Sequence, residues 1–299
     1  MSWQNWVMST LLRYRMKPMA RKGLDVAKVR AATAKPAVAM KVPAGWRIRS
    51  SATAPLKGEW TEPDSGAAPG RTLLYLHGGG YFFCSPLTHR SITVTLGTSA
   101  AARVFSLDYR LAPEHRFPAA IEDAVAAYRQ LLADGIPADR IVIGGDSAGG
   151  GLTLSTLLAL RDAGDKLPAG AILFSPWTDL AGTGETLVSN DKSDVMFTGA
   201  GIKGGGQFYL GDTPGTDPLA SPLYADLAGL PPLFVQASGS EVLLADSTRL
   251  VDKARAAGVT VEFEIWPKLP HVWQIFTPFL PEARAALAKT SDFLRRVTA

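Results

Sequence analysis

The 299 residues carry a formal charge of +4, with 46% hydrophobic and 19% charged residues, a balance that excludes a disordered chain and fits an ordinary folded protein. The length allows one large α/β domain or two small ones and a sizeable core. A single cysteine, Cys84, rules out an intrachain disulfide and suits a reducing compartment.

Apolar runs of about eighteen residues, the length that spans a bilayer, are missing. Met1-Ser2-Trp3-Gln4-Asn5-Trp6 has no basic leader, and Arg13 and Arg15 interrupt the residues after it, so no secretory signal is expected and the protein is placed in the cytoplasm. Much of the basic excess lies in Arg13, Arg15, Lys17, Arg21, Lys22, Lys28, Arg30, Lys35 and Lys41. A solvated helical face is expected there, not a nucleic-acid or membrane contact.

The first forty or so residues read as helices, with Trp3, Trp6, Val7, Thr10, Leu11 and Tyr14 at three- and four-residue spacing as a packing face. After a break over Pro36 to Gly45, Trp46 to Ser50 alternates as a half-exposed strand, Leu56 to Thr61 is its partner, and Glu62 to Gly70 is a turn. Thr72 to Leu76 is a continuous apolar run, as in a strand buried on both faces. Strands at Val104–Leu107, Ile141–Ile143, Ala171–Phe174, Leu233–Gln236 and Val261–Ile265 then alternate with helices at Ala119–Leu132, after Ser147, at Leu243–Ala257 and at Glu282–Arg296. Such alternation predicts βα units and a largely parallel sheet covered on both faces. The interval from Gly182 to Tyr224 has no strand pattern and seven glycines among its residues 199–215; so long a stretch between core strands reads as an insertion with a job.

Chemistry concentrates in three places. Ile141 to Ile143 runs into Gly145-Asp146-Ser147-Ala148-Gly149 and then a helix, the strand–turn–helix setting of a nucleophile elbow. Small neighbours at Gly145 and Gly149 would let a strained turn lift Ser147 clear of the sheet. A serine hydroxyl needs a base, and the base an orienting acid, in the chain order serine, acid, histidine. Of His77, His89, His115 and His271, only His271 comes after Ser147, just past the last strand. For the acid, Glu241 stands nearest the end of the Leu233–Gln236 strand and is preferred; Asp246 lies further on, where dipole compensation is its ordinary role, and Asp179 is third. Finally His77-Gly78-Gly79-Gly80 comes directly after the Thr72–Leu76 strand. The amides of Gly79, Gly80 and Ala148 are the candidate oxyanion donors, and His77 is expected to brace the loop. No nucleotide-binding glycine pattern accompanies this run, and no metal-ligand spacing is visible.

These residues, together with Asp108-Tyr109-Arg110-Leu111-Ala112-Pro113-Glu114 and His271-Val272-Trp273, resemble the hormone-sensitive-lipase family of bacterial carboxylesterases. The resemblance covers about Leu73 to the C-terminus. It implies an α/β-hydrolase core of about eight mostly parallel strands with helices on both faces. It also implies a helical cap from residues 1–45 and an insertion at about 182–224 on a catalytic domain of residues 46–299. Hydrolysis of short-chain acyl esters by Ser147, Glu241 and His271, without cofactor, is what the family pattern implies. In much of that family the acid is aspartate, so glutamate at 241 is a departure. An amidase or deacetylase on N-acyl substrates, or a non-catalytic small-molecule receptor, would use the same framework. A small-molecule ester is the expected partner, with no nucleic acid and with room for a homo-oligomer. Asp108, Arg110 and Glu114 are expected to form a buried polar brace. Cys84 is expected as a small core or pocket residue, and Phe82, Phe83, Phe197, Phe208 and Tyr209 as acyl-pocket lining or aromatic core.

Overall fold

The computed structural model describes residues 1–18, 25–34, 40–66 and 70–299; Arg21, Lys22 and Lys35, part of the break after Pro36, and residues 67–69 of the expected turn lie outside them. The strands are β1 (Trp46–Ser51), β2 (Gly58–Pro63), β3 (Thr72–Leu76), β4 (Arg103–Leu107), β5 (Ile141–Asp146), β6 (Gly170–Phe174), β7 (Leu233–Ser238) and β8 (Val261–Trp266). They form one sheet in the order β1-β2-β4-β3-β5-β6-β7-β8, antiparallel at β1–β2 and β2–β4 and parallel from there on. This is the largely parallel sheet that the alternating pattern predicts, and it has the α/β-hydrolase architecture that the resemblance implies.

Two-residue periodicity divides the core. Leu74, Leu76, Phe105, Ile141 and Ile143 face the helices α4 (Ala119–Ala133) and α5 (Ala148–Asp162), which come after α1 (Trp3–Arg15), α2 (Val26–Ala32) and α3 (Arg90–Ala100) along the chain. Leu73, Tyr75, Val104, Val142 and Ile172 face α3 and the C-terminal helix Pro281–Val297. Each fully buried Leu, Ile or Phe contributes about 1.5–3 kcal/mol relative to exposure. In β3, β5, β6 and β7 every residue is buried, so these strands read as unbroken apolar runs. The chain passes from β3 outward to β4 and then back across to β5. The strand order therefore reverses at β3, and the carboxyl ends of β3 and β5 open side by side, the usual place for a ligand crevice.

Four expectations need correction. The stripe on α1 faces outward: Trp3, Trp6, Leu11 and Tyr14 are exposed. Its inner face is Asn5 and Leu12 with Met8 and Met16, packed near Leu269, Trp273, Phe276 and Leu280. Polar anchors set this rotation, because the Asn5 side-chain amide donates to the Lys268 carbonyl (3.1 Å) and the Ser2 hydroxyl to Glu282 (2.8 Å). The basic N-terminal residues are also not uniformly a solvated face. The buried Lys17 ammonium donates to the carbonyls of Asp191 and Asp194, Arg13 holds the carbonyls of Lys192 and Ser193, and Arg30 holds those of Phe82 and Ala112. Asp108, Arg110 and Glu114 form no shared buried brace. They pair separately and near the surface, with Lys57, with Glu122 and Asp123, and with Arg30.

Glu62, expected in a turn, is the penultimate residue of β2. It is buried beneath Arg47, Arg49 and Arg103. Burial pushes its carboxyl up, but hydrogen bonds from Arg49 and Arg47 outweigh this and hold it at about 2 instead of 4.5. With the folded pKa depressed, the stabilisation is present above 4.5 and is lost as pH falls towards 2. Glu62→Gln is expected to lower unfolding stability at neutral pH by about 1–2 kcal/mol, modest because its partners are half exposed. Paired urea titrations should show the difference shrinking in acid; a difference independent of pH would contradict this account. Among the described residues, no helix is long and apolar enough to cross a membrane.

Candidate active site

β5 ends at Asp146, and Ser147 comes next with φ 52° and ψ −120°, a conformation that L-residues rarely adopt. The turn is clamped. The Ser147 amide donates to the Phe174 carbonyl at the end of β6 (2.8 Å), and the Ser147 carbonyl accepts from Trp177 (2.9 Å). Close approach explains the glycines, since a Cβ on Gly149 would lie 1.9 Å from the Leu76 carbonyl oxygen. The elbow can form only where α5 starts directly against β3.

After β3 the glycine loop turns over the same point. Gly79 has φ +108°, and a Cβ there would lie 2.1 Å from the Phe83 carbonyl oxygen, so only glycine fits. The Gly78 amide is already committed, donating to Asp146 Oδ1 at 3.0 Å. Among the described residues nothing accepts from the amides of Gly79 and Gly80, or from Ala148 at the start of α5. Asp146 ties the two motifs together, accepting also from the Tyr75 hydroxyl (2.7 Å) and pairing with His89 Nε2 (3.2 Å). Burial would raise its carboxyl, but the His89 ring and the Tyr75 hydroxyl overcome that and hold it below the ordinary aspartate range. His77 braces the loop as expected. Its ring stacks on Tyr109 at 4.3 Å, Tyr109 donates to its carbonyl, and burial pushes it down to about 4, so it is neutral.

Glu241 and His271 meet. His271 Nδ1 lies 2.5 Å from Glu241 Oε2, while the other carboxylate oxygen accepts the Ser238 amide at 2.8 Å. Among the described residues, nothing hydrogen-bonds to the buried His271 Nε2. The loop carrying His271 is joined to the serine turn through β6, because Ser175, directly after Phe174, accepts the Val272 amide (3.4 Å). Burial disfavours the His271 cation, but the Glu241 carboxylate, with Asp194 and Asp146 beyond it, more than compensates and raises its pKa above the usual 6.5.

The two rival acids are occupied elsewhere. Asp246 falls in the first turn of the helix Leu244–Ala256 and is buried, its carboxylate accepting the amides of Thr178 and Asp179 (2.8 and 2.9 Å). Burial pushes it up to about 7. Asp179 pairs with Arg249 and accepts from Thr183 and Tyr224.

The aromatic residues divide. Tyr209 stacks on Tyr81 at 3.8 Å and is core. Phe82 contacts Phe83 and Phe208 at 5.0 and 5.1 Å, and Phe197 meets the His271 ring edge-on at 5.2 Å. Cys84, against the glycine loop, is a thiol that burial pushes up to about 12 against a smaller opposing hydrogen bond from Thr88, far from the range of a reactive thiolate. Three features carry no readable sequence signal: the Asp146–His89–Tyr75 network, the Ser175 bridge, and the grip of residues 190–197 on the loop bearing Glu241. Their partners stand 47 to 97 positions apart, as with Ser193 and Ser240 or Ser175 and Val272.

Residues 73–275 match the model of a family described by the alpha/beta hydrolase fold. An acetyl-hydrolase of Streptomyces hygroscopicus is 47% identical over 240 residues, 80% of each chain. An esterase from the bacterial hormone-sensitive lipase family superposes with TM-score 0.91 at 39% identity, covering 100% of this chain and 99% of that one. EstE5, solved after soaking with p-nitrophenyl butyrate, gives TM-score 0.93 at 38% identity over the same shares.

Proposed function

Because the chain belongs to the α/β-hydrolase family, among the bacterial hormone-sensitive-lipase-type esterases, and is a carboxylic ester hydrolase, we propose that it cleaves short-chain acyl esters through an acyl-enzyme on Ser147. The observation that carries this reading is the Glu241–His271 pair, bonded through Nδ1 with Nε2 left unpartnered, on a loop tied to the strained serine turn. His271 Nε2 takes the Ser147 proton as the hydroxyl oxygen bonds to the ester carbonyl carbon. The negative charge that develops on the carbonyl oxygen is received by the amides of Gly79, Gly80 and Ala148. Glu241 holds the imidazole tautomer and stabilises the cation. Collapse breaks the carbon–oxygen bond to the alcohol, which leaves with the proton from His271. Water, deprotonated by the same nitrogen, then attacks the acyl-enzyme, and the acid leaves as Ser147 regains its proton. No step calls for a cofactor.

Residues 1–45 and about 182–224 act in this reading as a cap over the catalytic domain 46–299. Phe82, Phe83, Phe197 and Phe208 supply short apolar walls, which favour a short acyl chain. The p-nitrophenyl butyrate used with EstE5 has such a chain. Cytoplasmic residence, suited to a free Cys84, belongs to the same reading.

A panel of p-nitrophenyl esters from acetate to laurate tests the proposal, with matched anilides alongside. Expected are a burst of nitrophenol, fastest turnover at two to four acyl carbons, and covalent labelling of Ser147 by a phosphonate. Faster turnover of the anilides would make the enzyme an amidase. Absence of both turnover and labelling would make the protein a binder.

A further inference from the structure

Asp194 has no part in the acyl-transfer steps, yet it is one of the most heavily used side chains of the inserted segment. It is 2% exposed. Its Oδ1 accepts the amides of Met196 (2.7 Å) and Phe197 (2.9 Å), and its Oδ2 accepts the amide of Val242 (2.9 Å), the residue directly after Glu241. One carboxylate thus folds the turn that places the Phe197 ring against His271 and fastens that turn to the loop of the acid.

Neighbouring contacts repeat the theme. The Asn190 side-chain amide donates to the Glu241 carbonyl (2.9 Å), and the Ser193 hydroxyl to the Ser240 carbonyl (2.9 Å). The N-terminal helices reach the same place, because the Lys17 ammonium donates to the Asp194 carbonyl at 2.7 Å. Among the described residues, only Ser238, through its amide, shares the Glu241 carboxylate with His271.

We propose that Asp194 is a positioning residue that fastens the inserted segment to the loop of Glu241, so that the Glu241–His271 pair is held in working geometry only while that segment is seated. The inference rests on Ser147, Glu241 and His271 being the catalytic set. A carboxylate that can shift by about 1 Å loses much of its value, because misplacement on that scale costs up to about 100-fold in rate. The ionisable groups bearing on the His271 ring are Glu241 from the loop after β7, Asp194 from the inserted segment and Asp146 from the end of β5, while Lys17 meets Asp194 from the N-terminal side. Removing the Asp194 charge, or letting Glu241 drift, lowers the proton affinity of His271. Both therefore move the acidic limb of kcat/KM to lower pH.

The test is Asp194→Asn in the full chain, assayed with p-nitrophenyl butyrate across pH beside wild type and Ser147→Ala. Expected is a fall in kcat of roughly 10- to 100-fold with KM little changed and the acidic limb displaced downward. A folded Asp194→Asn protein whose acidic limb coincides with wild type overturns the inference, whatever its kcat. Should that variant fail to fold, Asn190→Ala, which removes only the amide on the Glu241 carbonyl, is expected to give both changes in weaker form; an unmoved limb there overturns it equally. Activity surviving in Ser147→Ala would instead defeat the catalytic assignment itself, a separate outcome.

Discussion

Ser147→Ala is expected to lower kcat on the order of 10⁶-fold, with KM nearly unchanged. The size comes from the division of labour. In the proposed mechanism, without an oxygen at position 147 no acyl-enzyme forms, and His271 has no hydroxyl to deprotonate. The proposed oxyanion donors at Gly79, Gly80 and Ala148 and the proposed apolar walls would remain, and a residual acceleration of about 10³–10⁴ over water is expected from them. Fold stability should stay close to wild type, because the clamp on the turn is made by the backbone of Ser147 and not its side chain. The measurement is steady-state turnover of p-nitrophenyl butyrate together with phosphonate labelling. Loss of both in a protein with an unchanged melting temperature is the expected pattern, and turnover within about tenfold of wild type would remove Ser147 as nucleophile.

Replacing the two acids separately should give opposite results. Glu241→Ala removes the carboxylate 2.5 Å from His271 Nδ1, and a fall of about 10⁴-fold in kcat is expected. The acidic limb should also move to lower pH. In the proposed mechanism neutral imidazole is the active form; Glu241 is the strongest of the groups that raise its pKa, and without it burial lowers that pKa. Asp246→Ala should behave differently. It leaves the buried amides of Thr178 and Asp179 without their acceptor, which costs about 1–3 kcal/mol for each unsatisfied group. Stability should drop while kcat in the surviving folded protein stays near wild type. The reverse pattern would transfer the role of acid to Asp246.

Much of the sheet was legible because its strands are buried on both faces, where an apolar run leaves few alternatives. β3, β5, β6 and β7 begin within one residue of their predicted starts. The helix Gly199–Leu210 was harder to read, because its glycines are poor helix formers, at about 1 kcal/mol each relative to alanine. Its Thr198 cap, accepting from the Gly201 amide at 3.0 Å, and its packing against the core offset that preference. The outward face of α1 is not legible in the sequence, because three- and four-residue spacing shows that a helix has an apolar stripe, not which way the stripe points. Glu62 reads as a turn residue because acidic residues are rare inside sheets; its three arginine partners are 13, 15 and 41 positions away.

By itself the sequence determined the elements and the chemical inventory: the strand–turn–helix around Ser147, the glycine run at 77–80, and one histidine in the right chain order. These are local or order-based properties, set by periodicity, glycine placement and residue count. Only the tertiary structure decided that Glu241, not Asp246 or Asp179, lies at Nδ1 of His271. It alone placed Asp146 behind the glycine loop and Asp194 on the loop of the acid. Such choices depend on hydrogen-bond geometry between segments brought together by sheet order, and a carboxylate within a few residues of a strand end can face either the imidazole or a neighbouring backbone amide without any change in local pattern.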